Sequence, residues 1–490
     1  MLDSEIRLPG VLRIAKNTAL FAAADVINKL MVFLFFIIAA RALGAERYGS
    51  LSSALAFVTM FAVLTDLGLG TWSAREIARD RGVLRQVIPV ALFIKSVAAV
   101  CVVGTILITA SLIWTSKQYL MLVAICALFI FEGAFSFYFG AVFQGLERFE
   151  CSVLARVCQA MVLLAGGALL ASSSPTVYGF AWVYAVAGAV SVAVSALLSA
   201  LVGVPIRVSR SIAAAALLLR RTFPLALAAL FASVYYWIGP VLLARISGDT
   251  AAGLYSAAFR LVLGASFPVF AFVGALYPIL SKAGVAGVEP IGELSKRAGR
   301  YILMVAIPFG VLGAAMAGPI VRVTYGSGYA ASAQVLQVLA WWGCCAQLNT
   351  LLSHCLYAAG SARVVTQQTA VSLAAGLALS LLLIGPLGPL GAAVALTVAE
   401  VAGLAFMLSR IARRVQAKVR PVALFLLRVA LAALIAAVVG RAACRASDVA
   451  GLAACAFSYA IAAVALGVVG ASDWSLVADA IAKRPVRRQT

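Results

Sequence analysis

Charged residues are scarce in this sequence. They make up 11% of the 490 residues, while 64% are hydrophobic; a soluble globular chain has about 25% charged and about 45–50% apolar residues. This composition excludes a water-soluble globular enzyme. The charge that is present is mostly positive, with a formal net charge of +21. Such a surplus often indicates nucleic-acid binding, but with so apolar a composition it indicates a membrane protein, and we expect no nucleic-acid partner.

Catalytic and metal-binding motifs are also lacking. The sequence has one histidine, His354, and its nine cysteines show neither CxxC spacing nor cysteine–histidine spacing, so metal and redox sites are disfavoured. There is no P-loop, which excludes an ATPase site of the chain's own, and no nucleophile elbow. We therefore expect neither enzymatic activity nor a bound cofactor.

Long apolar runs are abundant. A spanning helix needs about 20 apolar residues, and the runs are continuous rather than alternating, which predicts helices and not a β-barrel. The sequence therefore predicts an all-α polytopic membrane protein with about 14 transmembrane helices. The predicted spans are residues 12–40, 46–66, 84–110, 118–142, 151–171, 177–202, 222–244, 252–280, 300–321, 332–358, 365–385, 389–409, 421–440 and 449–470.

The positive residues indicate the orientation of these spans, because cytoplasmic loops are enriched in Lys and Arg. With a cytoplasmic N-terminus, 27 of the 38 Lys and Arg residues fall on the cytoplasmic side and 7 on the other side. The remaining four lie within spans. This bias predicts that both termini are cytoplasmic.

An internal repeat divides the chain. Residues 40–44, at the end of span 1, are echoed 204 positions later by residues 244–248, at the end of span 7. Residues 145–148 are echoed by residues 360–363, at an offset of 215. An even number of spans between the copies predicts parallel repeats. We expect a six-helix bundle at 1–202, a cytoplasmic linker at 203–221, a second six-helix bundle at 222–410, and a C-terminal helix pair with a basic tail at 411–490.

Several segments carry a resemblance to a known family. They are Asn17 and the segments 41–49 (RALGAERYG), 65–70 (TDLGLG), 75–79 (REIAR), 144–149 (QGLERF) and 325–329 (YGSGY). In this order, over residues 10–410, the chain resembles the polysaccharide transport (Wzx-type) flippases of the multidrug/oligosaccharidyl-lipid/polysaccharide (MOP) exporter superfamily. The resemblance implies a two-lobed fold like that of the MATE transporters and other MOP proteins.

The resemblance also implies a function. The chain would move undecaprenyl-pyrophosphate-linked oligosaccharide repeat units, the precursors of O-antigen, capsule or exopolysaccharide, from the inner to the outer leaflet of the bacterial cytoplasmic (inner) membrane. Its partners would be this lipid-linked glycan, membrane lipids, and a polysaccharide polymerase and chain-length regulator. One alternative is a lipid II flippase of peptidoglycan synthesis, favoured by the extra helix pair. A second is a MATE-type drug/cation antiporter, which predicts acidic cavity groups, and a third is a non-transporting scaffold or polymerase subunit.

Ionisable residues inside spans are the candidate functional groups, since each costs about 2.5–3.5 kcal/mol at bilayer depth on insertion scales. On span 1, Asn17, Asp25, Asn28 and Lys29 fall within about 120° of one another around the helix, which predicts a polar stripe that faces a cavity and binds substrate. Lys29 would attract the pyrophosphate or an acidic sugar, while Asp25 holds or tunes Lys29. The alternative is that Asp25 and Lys29, four residues apart, neutralise each other.

The other ionisable residues have two interpretations each. Arg260 in span 8 is predicted to contact the headgroup, because an arginine fork binds phosphate bidentately; the alternative is that it reaches the interface. Lys95 and Glu132 are expected to pair, or Glu132 takes part in ion coupling. Glu400 in span 12 is a candidate for coupling to a proton or sodium gradient, as is Asp25; otherwise Glu400 is a neutral, hydrogen-bonded acid.

Overall fold

The computed structural model describes the backbone of residues 8–286, 288–412 and 419–468. Within these ranges, the side chains that are not described belong to residues 8–25, 221, 223–228, 278, 284–291, 293, 412 and 419–423. Every regular element in the described ranges is helical. The α-helices are α1 (Leu8–Ala62), α2 (Leu69–Arg79), α3 (Leu84–Ile113), α4 (Lys117–Ala127), α5 (Phe129–Phe131), α6 (Phe137–Gly145), α7 (Phe149–Ser172), α8 (Val177–Leu201), α9 (Ile212–Ile246), α10 (Asp249–Ala286), α11 (Val288–Ala315), α12 (Ala317–Tyr325), α13 (Ser332–Ala358), α14 (Ala362–Ala412), α15 (Val419–Ala443) and α16 (Asp448–Ala465).

Among the described residues, twelve helical segments are long and apolar enough to cross a membrane. Two of them, at 26–65 and 362–411, contain 40 and 50 residues. At 1.5 Å per residue these reach about 60 and 75 Å, twice the thickness of a bilayer core. Each has a kink at a glycine with positive φ, Gly44 (73°) and Gly388 (54°). The kinks fall between predicted spans 1 and 2 and between spans 11 and 12, so all fourteen predicted spans have a helical counterpart, and the predicted polytopic all-α fold is confirmed.

Side-chain caps set several of the helix starts. Ser116, Thr176, Ser211 and Ser447 each precede a helix, and each side-chain oxygen accepts a hydrogen bond from a backbone N–H of the first turn. Such a cap contributes about 1 kcal/mol. The caps explain why the apolar runs begin as helices directly after short polar connections.

The helices form two compact units. The first unit comprises residues 1–271 and 369–395, and the second comprises residues 272–368 and 396–490. This grouping follows contacts and not the sequence repeats, so the predicted boundaries at 1–202, 203–221, 222–410 and 411–490 remain a prediction.

A close contact in the first unit follows the predicted repeat. Gly44 and Gly248, 204 positions apart, both have positive φ. Gly49 on α1 and Gly253 on α10 lie so near each other's helix that a Cβ on Gly49 would overlap the Asp249 carbonyl, and a Cβ on Gly253 would overlap the Ala45 carbonyl. The two contacts are equivalent under the 204-residue offset. Ser50 Oγ also donates a hydrogen bond to Asp249 Oδ2 at 2.6 Å.

The second predicted echo has a different register. The N–H of Arg148 bonds the Phe143 carbonyl after α6, and the N–H of Ser361 bonds the Leu356 carbonyl after α13, both at 2.8 Å. Glu147 and Gly360 therefore occupy the same left-handed position, with φ of 60° and 71°. The structural offset between Glu147 and Gly360 is 213, whereas the sequence match of residues 145–148 with residues 360–363 has an offset of 215. The two segments share the backbone geometry that ends a helix, and not the position of the glycine.

The second unit holds the C-terminal helix pair. Helices α15 and α16 pack on each other and on α11 and α12. Arg322 of α12 binds Asp448 at the start of α16 through a two-bond fork, with Nε–Oδ2 and Nη2–Oδ1 distances of 2.8 and 2.7 Å. Tyr459 Oη donates to the Met304 carbonyl at 2.7 Å. These bonds fasten the pair to the rest of the unit.

Candidate functional site

A cavity within the first unit is lined by positive side chains. Its volume is about 470 Å³, and α1, α5–α10 and the turn of π-helix between α5 and α6 form its walls. We call it the cationic cavity. Its polar lining residues are Asn28, Lys29, Glu132, Ser136, Gln144, Ser152, Arg156, Gln159, Ser195 and Arg260.

A second cavity adjoins the first. It has a volume of about 630 Å³, and both cavities are lined by Phe129, Phe137, Tyr184, Trp237 and Arg260. We call it the aromatic cavity. It adds polar groups from α1, α2, α9 and the turn after α1, namely Thr59, Asp66, Thr71 and Ser233. The rings and Arg260 are thus common to both cavities, while Lys29 and Arg156 line only the first and the hydroxyl groups of Thr59, Thr71 and Ser233 line only the second.

Arg260 of α10 lines both cavities. Its guanidinium carbon lies 3.1 Å from the centre of the Phe36 ring, a cation–π contact that holds the group in place. Its Nε is buried without a hydrogen-bond partner among the described residues. The structure therefore places Arg260 at both cavities, where the Phe36 ring and Tyr48 contact its guanidinium.

The polar stripe predicted on span 1 is described in part. Asn28 and Lys29 line the cationic cavity, and Lys29 Nζ lies 4.8 Å from the centre of the Phe267 ring of α10. Asn17 and Asp25 belong to α1, but their side chains lie outside the described residues. The structure thus brings three of the five predicted substrate-binding residues, Asn28, Lys29 and Arg260, to one cavity.

A turn of π-helix at Glu132–Ser136 interrupts the fourth span. Such bulges widen a helix locally and are frequent at functional sites. Here the bulge presents Glu132 and Ser136 to the cationic cavity. Ser136 Oγ lies 2.7 Å from Ser191 Oγ of α8, so the bulge is anchored on that helix.

The predicted pairing of Lys95 with Glu132 is wrong. Lys95 Nζ donates to Asp66 Oδ1 at 2.8 Å and to the Thr65 carbonyl at 3.2 Å. Asp66 also accepts from the backbone N–H of Gly70 at 3.2 Å, in the first turn of α2. The Lys95 side chain is fully buried while that of Asp66 is 35% exposed, so the pair holds α3 to the start of α2 and leaves Glu132 to other partners.

Sequence analysis missed a third cation in the cationic cavity, Arg156. Because Arg156 lies near the start of α7, it was counted with the cytoplasmic Lys and Arg residues that predict the orientation of the spans. Ser152, Arg156 and Gln159 follow one another at spacings of four and three residues, which puts them on one face of α7, and all three line the cavity. This polar stripe in an otherwise apolar helix is the sequence pattern that could have identified Arg156 as a cavity residue.

The candidate ion-coupling residue of the second unit, Glu400, occupies a different environment. Glu400 on α14 is 2% exposed, and its Oε1 accepts a hydrogen bond from Asn349 Nδ2 of α13 at 2.7 Å. Asn349 Oδ1 is buried without a hydrogen-bond partner among the described residues. Glu400 therefore sits beside a neutral amide.

Residues 14–283, more than half of the chain, match the model of a family described as "Polysaccharide biosynthesis protein". No curated protein matches the chain in sequence.

Solved structures share the fold at low sequence identity. A structure of the lipid II flippase MurJ in an inward closed conformation has a TM-score of 0.73 and 13% identity, covering 92% of this chain and 99% of that one. An inward-facing multidrug resistance MATE family transporter of the MOP superfamily has a TM-score of 0.63 and 15% identity, covering 79% and 96%. A mutant of the Vibrio cholerae MATE transporter VcmN has a TM-score of 0.58 and 16% identity, covering 82% and 98%.

Proposed function

The chain belongs to the polysaccharide biosynthesis protein family, and we propose that it is a flippase for lipid-linked glycans. It would carry undecaprenyl-pyrophosphate-linked oligosaccharide repeat units from the inner to the outer leaflet of the bacterial cytoplasmic membrane by alternating access. The glycan would serve as precursor of O-antigen, capsule or exopolysaccharide. A polymerase and a chain-length regulator that act on the delivered units would be its partners.

The observation that carries this proposal is the charge of the cationic cavity. Its described charged groups are Lys29, Arg156, Arg260 and Glu132, a formal surplus of two positive charges when all are ionised. A pyrophosphate diester carries two negative charges. Because each cation inside a membrane is costly, three of them around one cavity favour an anionic cargo. This arrangement disfavours the drug/cation antiporter, whose cargo is positive.

The aromatic cavity supports a glycan as the rest of the cargo. Sugar rings combine apolar faces with hydroxyl groups, and this cavity combines Tyr184 and Trp237 with the hydroxyls of Thr59, Thr71 and Ser233. We propose that the pyrophosphate lies in the cationic cavity, the first sugars lie in the aromatic cavity, and the polyprenyl tail stays in lipid.

A lipid II flippase is the second candidate. It is favoured by the C-terminal pair α15 and α16, which lies beyond the two predicted six-helix bundles. Both cargoes share a prenyl pyrophosphate and differ in what the first sugar carries. A competition between the two glycolipids for transport would separate these functions.

We propose that an ion gradient drives the transport. The described candidates are Glu132 and Glu400; Asp25 is a third, outside the described side chains. Glu400 suits a proton or a sodium ion, because its buried carboxylate lies beside Asn349, whose Oδ1 is a further oxygen without a hydrogen-bond partner among the described residues.

The proposal is tested with purified protein in proteoliposomes and a fluorescent prenyl-pyrophosphoryl sugar, whose exposure at each leaflet is read by chemical quenching. Lys29→Ala and Arg260→Ala should each reduce flipping to the rate of empty vesicles. Arg245→Ala, which removes an exposed cation in the last turn of α9, should flip at the parent rate. The same variants should fail to restore surface polysaccharide in a strain lacking the protein. Normal flipping by both cavity variants would overturn the proposal.

A further inference from the structure

Asp66 is the one acid among the described residues that line the aromatic cavity, and its two carboxylate oxygens have different surroundings. Oδ1 accepts hydrogen bonds from Lys95 Nζ at 2.8 Å and from the Gly70 backbone N–H at 3.2 Å. No described residue donates a hydrogen bond to Oδ2, although 35% of the side chain is exposed. The carboxylate is therefore held through one oxygen and has the other available to a ligand.

The buried side chain of Lys95 fixes the position of this carboxylate. Its ammonium group also donates to the Thr65 carbonyl at 3.2 Å and lies 5.0 Å from the centre of the Tyr138 ring. Lys95 lines neither cavity, so it compensates the charge of Asp66 from the protein interior. Lys95 is thus a positioning residue, and Asp66 is the member of the pair that a ligand in the cavity is able to reach.

The backbone beside Asp66 is strained. Leu67 and Gly68 both have positive φ, 48° and 75°, and this conformation is unfavourable for leucine. The same turn brings Asp66 against the first turn of α2, where a Cβ on Gly70 would lie 3.0 Å from Oδ1. Strain of this kind is frequent at binding sites, and here it accompanies a carboxylate that lines a cavity.

Two hydroxyl groups of the aromatic cavity are also acceptors toward a ligand. Thr59 Oγ1 donates to the Leu55 carbonyl at 2.6 Å, and Ser233 Oγ donates to the Thr59 carbonyl at 3.2 Å. A hydroxyl has one donor and two acceptor lone pairs, so only the lone pairs of these two groups remain for a ligand. Together with Asp66 Oδ2 they match a ligand that brings O–H or N–H donors.

We propose that Asp66 binds the sugar next to the pyrophosphate, and that it selects a neutral or amino sugar and rejects a sugar that carries a carboxylate. The inference rests on the proposed function, since it needs a glycan in the aromatic cavity. Oδ2 accepts a hydrogen bond from a hydroxyl or amino group of the sugar. A uronic acid would place a second carboxylate in the same cavity, and the repulsion between like charges disfavours it.

Arg260 does not cancel this selection. It is the other charged residue among the described residues that line the aromatic cavity, but it also lines the cationic cavity. The pyrophosphate that we place there neutralises its charge. Asp66 lines only the aromatic cavity, so a sugar beside a bound pyrophosphate meets a surplus of negative charge.

The test compares two probes that differ in one group. They are fluorescent farnesyl-pyrophosphoryl glucose and farnesyl-pyrophosphoryl glucuronic acid, in which a carboxylate replaces the hydroxymethyl group of glucose. Flipping of each probe by the full-length protein is measured in proteoliposomes. The parent protein should flip the glucose probe about tenfold faster or more, because contact between like charges costs more than a factor of ten in binding.

The ratio of the two rates is the decisive readout, because a loss of folded protein lowers both rates equally. The double variant Asp66→Asn with Lys95→Met removes both charges and leaves no buried charge unpaired. Its ratio should fall about tenfold, since the repulsion of the glucuronic acid probe is lost. Lys95→Met alone keeps the carboxylate, so it should keep the preference for glucose but raise the KM for the glucose probe.

The matched control is Glu76→Gln. Glu76 is an acid on α2 whose side chain is 31% exposed, close to the value for Asp66, and it lines neither cavity. This variant should leave both rates and their ratio unchanged.

Two outcomes would overturn the inference. One is a parent protein that flips the glucuronic acid probe as fast as the glucose probe or faster, and the other is a double variant with the parent ratio. In either case, flipping of a probe would leave the proposed flippase function standing. If the parent protein flips neither probe faster than empty vesicles do, both the inference and the proposed function fail.

Discussion

Glu132 in the first unit and Glu400 in the second are equally buried, with exposed fractions of 3% and 2%, yet their surroundings differ. Glu132 lines a cavity together with three cations, Lys29, Arg156 and Arg260. Glu400 accepts a hydrogen bond from the neutral amide of Asn349. A buried carboxylate needs compensation for lost hydration, and the two units supply it in different ways.

The different surroundings of Glu132 and Glu400 indicate that the two sites respond to different ligands. A carboxylate in a cationic cavity lowers the cavity's positive charge and repels an arriving anion, so Glu132 should affect the affinity for the headgroup. Glu400 lies beside Asn349, whose Oδ1 is a further oxygen ligand, and a carboxylate next to an amide oxygen suits a proton or a sodium ion. We therefore expect the first unit to govern headgroup binding and Glu400 to govern the response to an ion gradient.

The largest expected effect separates the two acids. Glu400→Gln should abolish the stimulation of flipping by an imposed proton or sodium gradient and leave the affinity for the prenyl-pyrophosphoryl probe unchanged. Glu132→Gln should change the affinity. Proteoliposome flipping with and without a gradient, and probe binding, are measured on both variants.

The control for these variants is Glu150→Gln, because the Glu150 side chain is 63% exposed on α7. It should leave both readouts unchanged. Stimulation that persists in Glu400→Gln would remove Glu400 from the coupling mechanism, and unchanged affinity in Glu132→Gln would remove the contrast between the two units.

A smaller effect, on the free energy of unfolding, is expected when the ion pairs of the two units are broken. Asp66→Asn leaves the fully buried Lys95 without a counter-charge, which costs about 3 kcal/mol or more in the free energy of unfolding. Lys95→Met should cost less, because the Asp66 side chain is 35% exposed and still accepts a hydrogen bond from the Gly70 N–H. The midpoint of thermal unfolding in detergent should thus fall most for Asp66→Asn.

The matched control is the Arg322–Asp448 fork of the second unit, where 52% of the arginine side chain is exposed. Exposed pairs stabilise proteins weakly, so Arg322→Ala should lower the unfolding midpoint only slightly. A fall for Arg322→Ala as large as that for Asp66→Asn would contradict the burial argument.

The spans and the family were predictable from sequence, and both predictions are confirmed. A bilayer requires apolar runs of about 20 residues, so the spans are predictable without knowledge of the tertiary structure. The family is predictable because motifs such as 41–49 occur in a fixed order along the chain. The kinks at Gly44 and Gly388 also fall where predicted spans meet.

The cavity was predictable only in part. A stripe on one helix predicts a polar face, so Asn28 and Lys29 were found. The partner of Lys95 depends on which helices are neighbours and on how they are rotated, which no single span encodes. Arg156 was missed because charge counting treats a residue near a helix start as part of a loop. The bulge at Glu132–Ser136 has no signature in the apolar pattern, since it arises where this helix packs on α8.

The central claim is that the cavities of the first unit hold a lipid-linked glycan, and site-specific photo-crosslinking in living cells tests it most directly. The photoreactive residue p-benzoyl-phenylalanine replaces Phe137, which lines both cavities, or Leu112 on α3, which is 81% exposed and lines neither. Mass spectrometry of the adducts should identify a prenyl-pyrophosphate glycan at position 137 and only ordinary phospholipid at position 112. No glycolipid at position 137, or equal amounts at both positions, would contradict the account.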